Sequence, residues 1–305
     1  MTTIVYTDRA AVKYAQAIKR IAPEFDICAL GDPAAASAEV AVSWAPAVGS
    51  YDAMPGLRLI HSVGAGADHI IASAQRHWAR ICRIVDVEQA QSMAQYVVWG
   101  VLNAYREFDV MRAQQKAKVW ARVPTGNAAK TVVGIMGMGL MGKTVAGLLA
   151  PMGFTVRGWS RRRSEIDGVT GYGEDELAAF LDGTSVLVCL LPLTSTTRHI
   201  LSRDLYRKLA PGAYLIHVGR GEQLRAGDLV DALDQGVLGG ALLDVFPVEP
   251  LPVDDPLWSH DKIIVTPHVA AISDADVVAA QIIDNVRRLN GGLPLNNEVR
   301  SELGY

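Results

Sequence analysis

The stretch Thr131–Arg163, TVVGIMGMGLMGKTVAGLLAPMGFTVRGWSRRR, decides the fold. It begins as an apolar, β-branched run (131–137) and passes through Gly137-Met138-Gly139-Leu140-Met141-Gly142. It then reads as a helix and ends in a second apolar run (155–160). A strand, a GxGxxG turn, a helix and a returning strand form the βαβ unit that cradles a dinucleotide pyrophosphate. In a chain with 28 glycines the motif alone is weak; its place between strand and helix makes it informative. Gly137 permits the tight turn, Gly139 the approach of backbone to pyrophosphate, and Gly142 the packing of helix on strand. The helix N-terminus offers its N–H groups and positive dipole end to the phosphates.

The end of the stretch is unusual. An acidic residue there would take the ribose hydroxyls of NAD. This chain has Ser160, Arg161 and Arg162, followed by Arg163. Serine does not repel a 2'-phosphate and can donate to it, and guanidinium forks suit phosphate geometry. At a half-exposed site each arginine contributes about 1 kcal/mol. Two of them favour NADP(H) over NAD(H) by roughly tenfold or more, with NAD(H) the second-choice cofactor.

Strands and helices alternate on both sides of this unit. Runs 3–7, 25–30, 40–46 and 57–63 read as strands of a first parallel sheet, with a helix over 9–21. Residues 92–120 read as one long helix stopped near Pro124 and Gly126, a change of domain. Further strands are expected at 185–191, 213–219, 239–245 and 262–268, and a last helix over about 273–290 that can return to the first domain. The fold class is therefore α/β with two doubly wound parallel sheets. We divide the chain into a substrate-binding domain, 1–96 plus 273–305, and an NADP-binding domain, 97–272.

Composition sets the limits. Half of the 305 residues are hydrophobic and the net charge is −3, which speaks against nucleic acid as a partner. No apolar run is long enough to span a membrane and the N-terminus is no signal peptide, so a cytoplasmic protein is expected. Cys28, Cys82 and Cys189 lack metal or CxxC spacing and read as buried, reduced thiols. His61, His69, His77, His199 and His260 show no ligand spacing and read as structural or solvated, and no metal site is expected.

Three strand ends carry the chemistry: HVGRG with Arg220, DVFPVEP with Glu249, and VTPHVA with His268. Ligands bind at the carboxyl ends of strands in open α/β sheets. A cation, a carboxylate and an imidazole suit carbonyl reduction. Arg220 can bind a carboxylate and polarise the neighbouring carbonyl. His268 can donate a proton, and Glu249 can orient the imidazole and favour its charged form.

These motifs, with GALLDVFPVEPLPVDDPLW, VGAGADHI (63–70) and MAQYVV (93–98), resemble the D-isomer-specific 2-hydroxyacid dehydrogenase family over nearly the whole chain. Within it, WSRRR and Trp44 in VSWAP are most similar to the NADPH-linked glyoxylate/hydroxypyruvate reductases. The resemblance implies a flavodoxin-like substrate domain, a Rossmann cofactor domain, hinge closure and a homodimer. It makes Arg220, Glu249 and His268 the catalytic triad, and gives the substrate carboxylate to Val63, Gly64, Ala65 and Arg220. Trp44 lines the pocket or belongs to the core. Cofactor contacts are completed by Leu191, Pro192, Val218, Gly219 and Asp244. Two departures stand out: His217 replaces the family's usual asparagine, and the loop from Val123 to Lys130 is unusual.

The resemblance implies reduction of small 2-oxo acids. Rival readings are an enzyme for bulkier 2-oxo acids and a non-catalytic dinucleotide-sensing regulator. A formate dehydrogenase would carry glutamine in place of Glu249, and a phosphite dehydrogenase a lysine near Ala65.

Overall fold

In the computed structural model, which describes residues 2–74 and 78–299, the chain separates into two compact units. One comprises residues 1–86 and 273–305, the other 87–272. The break thus precedes the long helix instead of falling within it at residue 96. His77 lies outside the described residues.

The first unit is a parallel sheet of β1 (Thr3–Tyr6), β2 (Asp26–Ala29), β3 (Val40–Ser43), β4 (Leu59–Ser62) and β5 (Arg80–Cys82). Their order, β2-β1-β3-β4-β5, is the doubly wound flavodoxin-like order. Alternating side chains feed two cores. Ile4, Val40, Val42 and Leu59 pack under Ile18 of α1 (Val12–Ile21) and under Ile282 and Val286 of the returning C-terminal helix. Val5, Ala41 and Ile60 face the other way, toward Tyr51, Met54 and Ile70, the last in α2 (Asp68–Ser73). The three-residue β5 was not foreseen; it is too short to show a period.

The second unit begins with α3 (Val87–Arg106) and α4 (Phe108–Ala117). These replace the single helix expected over 92–120. Glu107 turns left-handed between them, at φ 52°. Asp109, in the first turn of α4, accepts from Asn103 (2.8 Å) and from the Tyr214 hydroxyl (3.2 Å), which fixes the new direction. The sheet follows: β6 (Val132–Met136), β7 (Thr155–Trp159), β8 (Val169–Tyr172), β9 (Val186–Cys189), β10 (Ala213–His217), β11 (Leu238–Leu243) and β12 (Ile263–Val265). All pair in parallel in the order β12-β11-β10-β9-β6-β7-β8, a Rossmann sheet extended by one strand. One face packs on α3 and α5 (Leu140–Leu149) through Val97, Val101, Val145 and Leu149. The other packs on α6 (Leu177–Leu181), α7 (Arg203–Tyr206) and α8 (Ala226–Asp234) through Phe180, Leu205, Leu229 and Leu233. The C-terminal helix, α9 (Ala275–Asn290), returns to the first unit.

Cys82 and Cys189 are buried and Cys28 is half-buried, all as free thiols. Cys28 thus departs from the expectation of full burial because β2 is an edge strand. Among the described residues no helix is long and apolar enough to cross a membrane, and no cluster of side chains is arranged to hold a metal ion.

Candidate active site

The glycine turn has the shape its sequence requires. Gly137 sits at φ 104°, in the left-handed region. A Cβ on Gly142 would lie 2.0 Å from the Gly137 carbonyl oxygen, so only glycine lets α5 start there. A Cβ on Gly139 would meet nothing within 4 Å, leaving open space before the first turn of α5. Gly139 caps α5 without a side-chain hydrogen bond. That is the cradle a pyrophosphate needs. Met138 packs in the core beneath, and Leu140 and Met141 begin the helix.

At the end of β7, Ser160 donates its hydroxyl to the Arg162 carbonyl at 2.7 Å, which shapes the basic turn. Arg161 and Arg162 are exposed. Arg163 is drawn away by an ion pair with Glu176. Hydrogen bonds from the Gly173 N–H and Arg163 hold the Glu176 carboxyl below its usual range. The third arginine thus braces the turn.

The three expected catalytic residues lie in the loops that follow three neighbouring strands, β10, β11 and β12. The imidazole of His268 meets Glu249 through Nδ1 and Oε2 at 2.7 Å. The second carboxylate oxygen accepts from the Phe246 N–H at 2.9 Å. Burial pushes the Glu249 carboxyl up. The His268 and Phe246 hydrogen bonds, with the charges of His268 and Arg220, outweigh this and hold it below 4.5. Glu249 is therefore an anion at neutral pH, and Nδ1 must carry the proton that bridges them.

The loop carrying His268 is under tension. His268 has φ 55°, uncommon for a residue with a side chain. Its N–H donates to the Asp244 carbonyl at 2.9 Å. The Asp244 carboxylate, 1% exposed, accepts from the Thr266 hydroxyl (2.6 Å) and the N–H groups of Val269 and Ala270 (both 2.9 Å). Asp244 was expected among the cofactor contacts. In the structure its carboxylate holds the turn that carries His268.

Arg220 follows β10, where the chain comes so close to the next loop that a Cβ on Gly221 would lie 1.9 Å from the Phe246 carbonyl carbon. The Arg220 main chain is held by His217 and Gln223, both 0% exposed. Gln223 also donates to the carbonyls of Leu191 (3.1 Å) and Pro192 (3.0 Å). Val218 donates to the Cys189 carbonyl at 3.2 Å, and a Cβ on Gly219 would meet Gln223. The expected cofactor loop, Leu191-Pro192, is thus tied to the expected catalytic loop. Gln223 escaped sequence reading because a glutamine after an arginine-glycine pair has no distinguishing pattern.

The expected substrate loop lies in the first unit, after β4. Val63 N–H donates to the Ser43 carbonyl (3.0 Å) and Gly64 N–H to the Ser62 hydroxyl (3.1 Å). Trp44 is half-buried, and its ring lies so close over Gly64 that an added Cβ would come within 2.2 Å of it. It therefore serves both the core, against which it packs, and the loop. Arg83, unnoticed in the sequence, reaches the Ala65 carbonyl at 3.3 Å. Burial lowers its guanidinium pKa, but an arginine remains a cation. It brings positive charge to the loop that expects a carboxylate.

Comparison with known proteins agrees with this geometry. The profile of the D-isomer specific 2-hydroxyacid dehydrogenase NAD-binding domain matches residues 98–270. A glyoxylate/hydroxypyruvate reductase A of Yersinia enterocolitica is 37% identical over 262 residues, covering 84% of each chain. A D-isomer specific 2-hydroxyacid dehydrogenase family protein from Klebsiella pneumoniae superposes with a TM-score of 0.94 at 40% identity, over 99% of this chain and 98% of that one. An NADPH-dependent glyoxylate/hydroxypyruvate reductase from Sinorhizobium meliloti, solved with NADP and sulfate, superposes with a TM-score of 0.93 at 34% identity over 100% of both chains.

Proposed function

The chain belongs to the D-isomer-specific 2-hydroxyacid dehydrogenase family, and we propose that it reduces small 2-oxo acids, glyoxylate and hydroxypyruvate foremost, to 2-hydroxy acids with NADPH. The observation that carries this reading is the Glu249–His268 pair beside Arg220, on the same sheet as a glycine turn flanked by two arginines.

The glycine cradle from Gly137 to Gly142 would hold the pyrophosphate, and Ser160, Arg161 and Arg162 the 2'-phosphate. Leu191, Pro192, Val218 and Gly219 would border the rest. When bound, the nicotinamide supplies the hydride for the carbonyl carbon. The protein does everything else. Arg220 takes the substrate carboxylate in a bidentate grip and draws electron density from the adjacent carbonyl. His268 gives the proton on Nε2 to the carbonyl oxygen as its negative charge develops, so that carbonyl, hydride and proton balance to a hydroxyl-bearing carbon. Glu249 stabilises the imidazolium until that moment and fixes the ring. Val63, Gly64, Ala65 and Trp44 are the proposed substrate contacts of the first unit.

Loss of both Arg161 and Arg162 to alanine lowers the preference for NADPH by about tenfold or more while leaving NADH kinetics near wild type. Steady-state rates with each cofactor check this. A homodimer in the cytoplasm is part of the proposal. The dimer is supported by α4, which buries none of its residues, and by exposed Phe108, Val110, Val119 and Trp120, apolar side chains that a second copy would cover.

The deciding experiment compares initial rates of NADPH and NADH oxidation with glyoxylate, hydroxypyruvate and pyruvate. Fast NADPH oxidation with glyoxylate and hydroxypyruvate supports the reading. A preference for NADH removes the 2'-phosphate role of the arginine turn. Tight cofactor binding with no turnover removes the reductase.

A further inference from the structure

His217 and Gln223 bracket one residue. The Arg220 N–H donates to Gln223 Oε1 at 2.8 Å, and the Arg220 carbonyl lies 2.9 Å from His217 Nε2. Both side chains are 0% exposed. A carbonyl can only accept, so Nε2 carries the imidazole proton and Nδ1 is a lone pair. That Nδ1 is buried and meets no hydrogen-bond partner among the described residues. Leaving a buried polar atom unpaired is costly, and an aliphatic side chain would fill the same space without that cost. What the imidazole supplies, and an aliphatic chain cannot, is the bond to the Arg220 carbonyl.

The guanidinium belongs to the same turn. Arg220 Nη1 donates to the Gly219 carbonyl at 2.9 Å, so the direction of the side chain follows the direction of the peptide. Gln223 holds the N–H of the peptide that precedes the Arg220 Cα, and His217 holds the carbonyl of the peptide that follows it, so the main chain is fixed on both sides of the residue. Burial keeps His217 neutral, with a pKa lowered to about 4, so the clamp is the same at every pH where the protein would work.

We propose that His217, together with Gln223, is a positioning residue that aims the Arg220 guanidinium at the carboxylate of the 2-oxo acid. This inference rests on the reading of Arg220 as the carboxylate-binding residue. Neither side chain touches substrate; each acts through the arginine's main chain.

The test is a double-mutant cycle with glyoxylate as substrate. His217→Leu is expected to raise KM for glyoxylate about tenfold, the equivalent of one lost hydrogen bond. NADPH affinity, read by fluorescence titration, and the shape of the pH–rate profile should stay as in the wild type. In an Arg220→Met background the same substitution should raise KM no further, because it acts through the arginine. His217→Gln, which can place a donor near the position of Nε2, should recover most of the loss. An additive rise in the Arg220→Met background, or a parallel loss of NADPH affinity, would mean general loosening of the fold and overturn the proposal. If Arg220→Met itself leaves KM unchanged, the reading of Arg220 fails and the inference falls with it. Should His217→Leu not fold, His217→Met carries the same cycle.

Discussion

Two imidazoles hold matching places in two different sheets. His61 lies near the end of β4, in HSVGAG (61–66), just before the proposed substrate loop. His217 closes β10, in HVGRG (217–221), just before Arg220. Both are 0% exposed, and burial lowers both pKa values to about 4. Their hydrogen bonds differ. His61 Nδ1 meets the Ser62 carbonyl at 2.8 Å and Nε2 meets Asn285 Nδ2 at 3.0 Å. Asn285 then exchanges two bonds with the Asn296 main chain, at 3.0 and 2.8 Å. His61 is satisfied on both sides and stitches the C-terminal helix to its sheet. His217 spends its one proton on a catalytic loop and leaves the other nitrogen bare. The same residue at the same kind of strand end ties a helix to its sheet in one unit and, on the proposal above, positions an arginine in the other.

Neither of these two histidines is proposed to touch substrate, and the largest expected effect belongs to the histidine that is. His268→Ala should lower the reduction rate by about 10²–10⁴, the usual worth of a general acid, without lowering the melting temperature. Alanine inherits the left-handed backbone at that position, so no strain is relieved that could blur the result. Full turnover by His268→Ala would move the proton source elsewhere.

Acid stability comes next, and it should treat the two buried imidazoles alike. In the unfolded chain each takes a proton near pH 6.5; in the native chain each resists it until about pH 4. The unfolded state therefore binds more protons between those values, and stability falls as pH drops from 6.5 toward 4. By pH 5 each histidine costs its own unit about 2 kcal/mol. Urea midpoints measured from pH 7.5 to 4.5 check this. His61→Gln removes one titrating group. It should lose about 1–2 kcal/mol at pH 7.5 from poorer bonding, show a flatter acid slope, and reduce 2-oxo acids at the wild-type rate. A large kinetic defect in His61→Gln would break the comparison, since His61 would then be serving the site as His217 does.

How much of this was legible in the sequence follows from how local each feature is. The glycine turn, the returning strand and the basic turn are contiguous, so residue type and order announced them. Arg220, Glu249 and His268 are far apart, yet each ends an apolar run, and strand ends are readable. The short edge strands β5 and β8 were invisible because three or four residues carry no periodicity, and Gly171 weakens β8 further. The break at Glu107 had no glycine or proline to mark it; it depends on Asp109 finding Asn103 and Tyr214, the latter distant in sequence. The Arg220 clamp was unreadable for a deeper reason. Its bonds join side chains to backbone, and the backbone is the same in every sequence. His217 could be noticed as a departure from the family pattern, but only coordinates show what it touches.

The smallest effect separates orientation from charge within the Glu249–His268 pair. Glu249 stays ionised below its ordinary 4.5 because its hydrogen bonds and the nearby positive charges outweigh burial. Interaction between two charges is mutual, so the carboxylate that gains from a charged imidazole also favours that charged form. Reduction consumes the imidazolium, and the rate must fade on the alkaline side as it loses its proton. Glu249→Gln keeps an acceptor for Nδ1–H and removes the charge. The alkaline limb of kcat/KM should therefore move to lower pH. A lower rate at all pH values with an unmoved limb would assign Glu249 to orientation alone. The difference between the site's histidine and the two buried ones would then lie in its exposure and its strained turn, and owe nothing to its anionic neighbour.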